Sequence, residues 1–412
     1  MLKEIIDNCK IKIVLTNNKN IIFFRYNPFN VLIFYAIFYY LIIFSLKMKN
    51  RIKRLWAIST LSRLFYTLQC YLAHKILPNF DKSSDYFLKK WDSFYFTNIM
   101  VSGYTAEHHI AFFPLLPLLG RYFSIFLGYK FGAFIFNLIL FYANTFLLNE
   151  ILNYFVSYKI SKYSTYFFIF NPASIIMIAF YTETLFMFLF LLCVYGLLNK
   201  KKLMPVFMIS LSCLCRSNGI LFLILVLDNN IFTNFLYILV VCIPISVYQV
   251  YCLSKIFQSQ YLNQVKSQSL DDLIGKKLHL KLFVPYSYVQ RKYWNQGFLK
   301  FYTLNNLSNF LIGIPFVLFS FYIIYIGFNI KWKNNKLCQK LIFILGIQTL
   351  MSVFFLHLNM YFRFISYNPV VYLIMGYLYK ERKNKIIKLY MRFYLAFSVA
   401  YAVLFGAFYP PA

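Results

Sequence analysis

Acidic residues are scarce in this chain: 12 Asp and Glu stand against 42 Lys and Arg in 412 residues, and charged side chains of both signs make up only 13%. With 61% hydrophobic residues and a mean hydropathy of +0.61, so little charge cannot cover a soluble globule of this size. Long polar segments are lacking too. The longest interruption runs from about Ser254 to Asn309, which excludes a string of soluble domains and points to one polytopic membrane domain. No period of 20 to 50 residues recurs, and this counts against a transporter built from repeated units.

Metal-ligand spacing is also missing. The eight cysteines (Cys9, Cys70, Cys193, Cys213, Cys215, Cys242, Cys252 and Cys338) lie mostly in or beside apolar runs. Cys213 and Cys215, one residue apart, suit neither a zinc knuckle nor a redox CxxC pair, so buried small hydrophobes are expected. A spaced Asp-X-Asp chelate is absent, and the adjacent Asp271-Asp272 lies in a Lys-flanked polar loop; no metal is expected. The formal charge of +30 does not imply nucleic acid, because the basic residues form short clusters between apolar runs rather than a stripe.

What is present is a succession of apolar stretches: 28–46, 55–77, 111–129, 131–156, 164–180, 184–198, 203–226, 231–253, 310–330, 341–356, 364–379 and 389–408. They predict an all-α polytopic membrane protein of about 11–12 apolar helices, some of them short or re-entrant. The amino terminus carries Lys3, Lys10, Lys12 and Lys19 ahead of its first run and no small-residue cleavage site, so that run is expected to be retained. Basic clusters at Lys47–Arg54, Lys200–Lys202, Lys331–Lys340 and Lys380–Lys388 should face the cytosol. The loops at 78–110, near 181–183, at 254–309 and at 357–363 then share the opposite face. Parity requires that one of 111–129 and 131–156 not cross; Pro114, Pro117 and Arg121 single out the first. It also requires 203–226 to go in and return, with Arg216-Ser217-Asn218-Gly219 at its apex.

Ionisable groups wedged between such runs are costly and mark function. Asp92 follows Trp91, an interfacial anchor, and shares a helical face with Tyr95 and Ile99; it is either a reactive carboxylate at the lipid boundary or a helix cap. Glu107-His108-His109 precedes Ala111-Phe112-Phe113-Pro114 at the same boundary. Glu183 lies in a short loop after Asn171-Pro172, where Pro172 should kink or start its helix. Arg216, His357 and Arg363 are cations on that face, able to hold a phosphate or to snorkel to headgroups. The run Tyr286-Ser287-Tyr288-Val289-Gln290 with Tyr293-Trp294-Asn295 suits sugar stacking and hydroxyl recognition, and equally an interfacial aromatic belt.

Taken in order, Trp91-Asp92 with Phe96, Gly103-Tyr104, Glu107-His108, Ala111 to Pro114, Asn171-Pro172-Ala173 with Tyr181-Thr182-Glu183, Arg216 to Gly219, Tyr286 to Gln290 with Tyr293-Trp294-Asn295, Arg363-Phe364 and Phe408-Tyr409-Pro410 resemble the GPI mannosyltransferase 2 family. The resemblance covers about Leu55 to the end. It implies an N-terminal extension with one extra span (1–54) and a GT-C type membrane catalytic domain (55–412), with 78–110 as first lumenal loop and 254–309 as large lumenal loop. It further implies the endoplasmic reticulum membrane, dolichyl-phosphate mannose as donor, mannosyl-glucosaminyl-phosphatidylinositol as acceptor, an α-1,6 product, contact with membrane lipids, and an accessory membrane subunit as in some members.

A β-linked donor and an α product require inversion, hence one displacement and a base behind the acceptor hydroxyl. Asp92 is expected as that base, oriented with the acceptor by Glu107 and His108. Arg216 and Arg363, with His357 behind them, would hold the leaving phosphate. Substrate contacts are expected from Trp91, Tyr104, Glu183, Asn218, Tyr288, Gln290, Trp294 and Asn295. The competing readings are another polyprenyl-phosphate-sugar-dependent enzyme of the same fold, a transporter or flippase, and a noncatalytic assembly subunit.

Overall fold

The structure, a computed structural model, describes residues 50–81, 83–84, 86–258, 284–332, 335–381 and 385–410. The expected span at 28–46, the rest of the N-terminal extension up to residue 49, and Asp271-Asp272 lie outside the described residues. Within them the regular structure is helical throughout. In order come α1 (Asn50–Ile76), α2 (Asp92–Ser102), a 3-10 turn (Glu107–Ala111), α3 (Leu115–Leu127), α4 (Tyr129–Phe155), α5 (Tyr158–Ile169), α6 (Thr182–Leu198) and α7 (Leu203–Cys215). A 3-10 segment (Ser217–Phe222) follows, then α8 (Leu223–Val226), α9 (Ile231–Gln258), α10 (Pro285–Trp294), α11 (Leu307–Asn329) and α12 (Asn335–Phe355). The chain ends with α13 (Tyr361–Phe364), α14 (Pro369–Glu381) and α15 (Lys385–Gly406).

Five of these, α4, α9, the Leu304–Asn329 segment containing α11, α12 and α15, are long and apolar enough to cross a membrane. The protein is therefore a multi-pass membrane protein. Helices α3 (13 residues), α6 (17) and α7 (13) are apolar but short. At about 1.5 Å per residue they fall short of the ~30 Å hydrocarbon layer. In α3 the cause is visible: Pro114 precedes the helix, Pro117 occupies its first turn, and Gly128 stops it at φ 73°.

The run 203–226 breaks where the sequence places its apex. Helix α7 ends at Cys215, Arg216 is extended (φ −153°, ψ 147°), and the 3-10 segment returns against α7. Gly219 makes the return possible, since a Cβ there would meet the Ser212 carbonyl carbon at 2.6 Å and the Cys213 nitrogen at 2.7 Å. The run 164–180 differs from expectation. Helix α5 stops at Ile169, and residues 170–180 form successive turns rather than a span, so Pro172 neither starts nor kinks a helix. Six of the seven described cysteines are buried and all seven are free.

Arg63, midway along α1 and 3% exposed, explains how such irregular backbone survives in an apolar interior. Its Nη2 donates to the Ile169 carbonyl (2.7 Å), its Nη1 to the Ser174 carbonyl (2.9 Å), and its guanidinium lies 3.8 Å from the Phe141 ring centre. The cation thus serves carbonyls that a continuous helix would have paired internally. Around this clasp α1 packs on α15 and α4, α5 on α14, α4 on α6, α6 on α7 and α7 on α9, whose outer face carries exposed Ile243, Val247 and Val250.

Because the return segment has no room for a side chain at its glycine, Gly219→Val should lower thermal stability in detergent by about 1–3 kcal/mol. An unchanged melting profile would show that the segment can shift without cost.

Candidate active site

Asp92 opens α2 after a turn tied together by hydrogen bonds. Ser93 Oγ donates to the Leu88 carbonyl (2.7 Å) and accepts from the Lys90 N–H (2.9 Å), while the Tyr181 hydroxyl donates to the Lys90 carbonyl (3.1 Å). Trp91 itself sits at φ 50°, a region that strains a bulky residue by about 1–3 kcal/mol. It is braced by the C-terminal segment: its indole meets the Phe408 ring edge-on at 5.1 Å, the Lys90 ammonium lies 4.7 Å from the same ring, and Phe80 N–H donates to the Ala407 carbonyl (3.0 Å).

The Asp92 carboxylate does not serve as a helix cap; it goes to a cation 271 positions away. Arg363 Nη2 donates to Asp92 Oδ2 at 2.7 Å and lies 2.9 Å from Glu183 Oε1, to which Arg363 Nε also donates at 2.9 Å. Arg216 Nη1 reaches the same Oε1 at 3.1 Å and also donates to the Thr182 hydroxyl oxygen at 3.4 Å. The four charges sum to zero. Their exposure is graded: side chains of Glu183 and Arg363 are 1% and 4% exposed, Arg216 14% and Asp92 32%. Asp92 is thus the member of the quartet most open to an incoming group, held from behind by a buried pair. Tyr181 and Phe364 lie 4.9 Å from the Arg363 and Arg216 guanidinium carbons, respectively.

A second cluster stands on the Tyr95 side of α2. The Glu107 carboxylate accepts from Lys292 Nζ (2.9 and 3.2 Å) and the Tyr293 hydroxyl (3.1 Å), joining the 3-10 turn to α10. His108 lies edge-on to Tyr95 at 5.3 Å and to Tyr293 at 5.7 Å; Trp294 meets Tyr95 at 6.2 Å and Phe112 at 5.7 Å. Burial opposes the charge on Lys292, yet its bonds to Glu107 and Tyr288 win and raise its pKa to about 12. His109 behaves oppositely: burial, with His108 beside it, pushes it down to about 4, and its Nδ1 accepts the Thr105 N–H at 3.3 Å. Burial likewise lowers His108, against the pull of Glu107.

Of the residues expected from sequence, Asp92, Glu183, Arg216 and Arg363 converge, with Trp91 next to Asp92. Glu107, His108, Tyr288 and Trp294 gather in the second cluster, where Gln290 lies on the same helix and Asn295 ends it in the left-handed conformation (φ 48°). His357 is not part of the ionic quartet. Its Nε2 donates to the Trp294 carbonyl (3.1 Å) and its ring packs on Phe301, so it holds the aromatic cluster. Asn218 donates to Gln348 Oε1 (3.0 Å), and the Tyr104 hydroxyl donates to the Phe112 carbonyl (2.6 Å). Arg63 and Lys292 went unnoticed in the sequence, and Tyr181, quoted within its motif, was given no role of its own; an arginine in the middle of an apolar helix was signal enough for the first.

The family model described as mannosyltransferase (PIG-V) matches residues 29–412, nearly the whole chain. The chain belongs to the PIG-V mannosyltransferase family. The match begins ahead of Leu55, inside the segment expected as an extension. Among similar proteins, GPI mannosyltransferase 2 of Schizosaccharomyces pombe is 28% identical, over 78% of this chain and 73% of its own. That of Saccharomyces cerevisiae is 26% identical over 79% and 87%, and the GPI alpha-1,6-mannosyltransferase 2 of Cricetulus griseus 24% identical over 55% of each. The oligosaccharyltransferase of Archaeoglobus fulgidus, crystallised with zinc and sulfate, aligns with a TM-score of 0.42 and 12% identity, over 85% of this chain and about half (54%) of that one. As a PIG-V mannosyltransferase the protein is a glycosyltransferase, and the ionic quartet is its candidate catalytic centre.

Removing Glu183 leaves Arg216 without its anion and facing Arg363, which keeps only Asp92. Glu183→Gln should cost about 3–5 kcal/mol, and the double variant with Arg216→Gln should recover part of that loss; both follow from thermal unfolding in detergent. Full additivity of the two changes would mean the groups do not interact. For the histidines, the unfolded chain takes up protons near pH 6.5 whereas folded His109 does so only near 4. Stability should therefore be full above about pH 6.5 and fall as the pH drops toward 4. His109→Asn, which keeps an acceptor for the Thr105 N–H, should flatten that profile.

Proposed function

We propose that the protein transfers the second mannose of the glycosylphosphatidylinositol precursor, in α-1,6 linkage, from dolichyl-phosphate mannose to mannosyl-glucosaminyl-phosphatidylinositol at the lumenal face of the endoplasmic reticulum membrane. Family membership and the activities named for the similar proteins support the acceptor and linkage. A GT-C type architecture with 55–412 as its catalytic domain belongs to the same proposal. The observation that carries the chemistry is the quartet itself: a partly open carboxylate fixed by a buried guanidinium.

In this mechanism Asp92 accepts the proton of the acceptor hydroxyl as its oxygen attacks the anomeric carbon from the face opposite the phosphate. Arg363 occupies Oδ2 and leaves Oδ1 for that proton. The leaving group departs as a phosphate monoester, whose charge needs cations rather than an acid. Arg216, engaged with Glu183 through Nη1 alone, keeps further donors for it. Arg363 is buried beneath Asp92 and acts as its positioning residue. Tyr95, His108, Tyr293 and Trp294 form an aromatic wall beside α2 suited to the acceptor sugars, and Glu107 is placed to orient them through Lys292 and Tyr293.

Asp92→Asn should lower transfer from dolichyl-phosphate mannose to a defined acceptor by about a hundredfold or more while the protein remains folded. Residual turnover near wild type would remove Asp92 as base. Complementation of cells lacking the second mannose separates this function from that of another polyprenyl-phosphate-sugar enzyme; failure at normal expression would favour the latter.

A further inference from the structure

Among the described residues, five that are not glycine hold φ in the left-handed region: Trp91 (50°), Lys200 (56°), Asn295 (48°), Leu299 (54°) and Phe408 (64°). Asparagine adopts that conformation readily, whereas a bulky side chain is strained in it. Two of the strained residues, Trp91 and Phe408, come from distant parts of the chain and meet. The indole stands edge-on to the Phe408 ring, with centres 5.1 Å apart and planes at 78°. Strain persists only where the surroundings over-determine it, and here it lies one residue before Asp92.

Phe408 closes α15. Its left-handed backbone lets its own N–H donate to the Phe405 carbonyl (3.1 Å) and the Tyr409 N–H donate to the Leu404 carbonyl (2.9 Å). Glycine makes such a cap without strain, so the ring at 408 answers to something other than the helix end. Its neighbours pin it from both sides. Gly406 lies so close to α1 that a Cβ there would overlap the Cys70 carbonyl oxygen and come within 3.0 Å of the Ala73 Cβ. Ala407 accepts the Phe80 N–H at 3.0 Å, and the Tyr409 ring lies 5.7 Å from that of Phe80. With its backbone fixed in this way, Phe408 turns its buried ring onto the turn before α2, where it meets Trp91 and, at 4.7 Å, the Lys90 ammonium. The electron-rich ring attracts that cation. Lys90 Nζ also donates to the Ser84 carbonyl (3.2 Å), so the contact extends to the loop upstream. The Trp91 indole N–H has no hydrogen-bond partner among the described residues; packing alone orients that side chain.

We infer that Phe408 is a second positioning residue for Asp92, acting through Trp91 and Lys90. Trp91 directly precedes Asp92, so its dihedral angles set the direction in which α2 leaves the turn and where the carboxylate points. Arg363 fixes one carboxylate oxygen from behind, and Phe408 fixes the backbone from the side. Without the ring, Trp91 relaxes from φ 50° and the carboxylate swings from the line of proton transfer, while Arg216, Tyr293 and Trp294 keep their places. The inference rests on Asp92 as the base, as proposed above.

The test compares the purified full chain with Phe408→Ala, Phe408→Leu, Phe408→Gly and Phe408→Tyr. The first three should lower kcat for transfer from dolichyl-phosphate mannose by about tenfold or more with KM unchanged for both substrates; Phe408→Tyr, which keeps the ring, should restore it. Glycine separates the ring from the cap. It adopts φ 64° freely, so Phe408→Gly should unfold at a higher temperature than Phe408→Ala and yet transfer no faster. Activity that follows the melting temperature overturns the inference and makes the ring ordinary packing; a raised KM at unchanged kcat overturns it in favour of a binding contact. In the Asp92→Asn background, adding Phe408→Ala should leave the residual rate unchanged, and a further loss of about tenfold there overturns the route through Asp92. The two readings fail separately. If Asp92→Asn transfers near the wild-type rate, the proposed base falls and this inference with it; if Asp92→Asn is inactive but Phe408→Ala keeps wild-type kcat, only the positioning role falls.

Discussion

A guanidinium with almost no exposed surface, Arg363, holds Asp92 and Glu183 at once, and the arrangement of the helices around it follows from that requirement. Taking a cation out of water costs several kcal/mol unless well-placed anions meet it, and a carboxylate left behind would cost as much. Two carboxylates and two guanidiniums at 2.7–3.1 Å balance each other only if α2, α6, α7 and α13 all end at one place. The quartet is therefore a geometric condition on the fold as well as a candidate catalytic centre.

All four charges sit at helix ends. Asp92 and Glu183 occupy the first turns of α2 and α6, where exposed N–H groups favour an anion; Arg216 directly follows α7, where free carbonyls favour a cation. The helices are short because they must end there. Irregular backbone at that depth is tolerated only where other groups satisfy it or a cavity adjoins it, and both conditions hold: Arg63 serves the carbonyls after α5, and an apolar cavity borders α2 and α7.

Much of this was legible in the chain. Apolar length and basic clusters predict a polytopic helical protein; Pro114 and Pro117 mark α3 as too short to cross; and the polar apex Arg216–Gly219 marks a return inside 203–226. The isolated ions Asp92, Glu183, Arg216 and Arg363 stand out because a charge between apolar runs needs a reason. The turns at 170–180 were not legible. Their residues are apolar and span-like, and the group that makes the irregular backbone tolerable, Arg63, is more than a hundred positions upstream. His357 misled for a related reason: a basic residue near Arg363 in sequence is turned instead onto the Trp294 carbonyl.

The sequence alone determined that the protein lives in lipid, that its helices are interrupted, and which few ionisable residues are candidates for the chemistry, because hydropathy, proline and isolated charge are local properties. Pairing was decided only by tertiary structure: which anion faces which cation, and which of them stays open. Those relations join residues up to 271 positions apart. They depend on how helices of nearly uniform apolar surface pack, and that surface carries no register that a linear pattern could record.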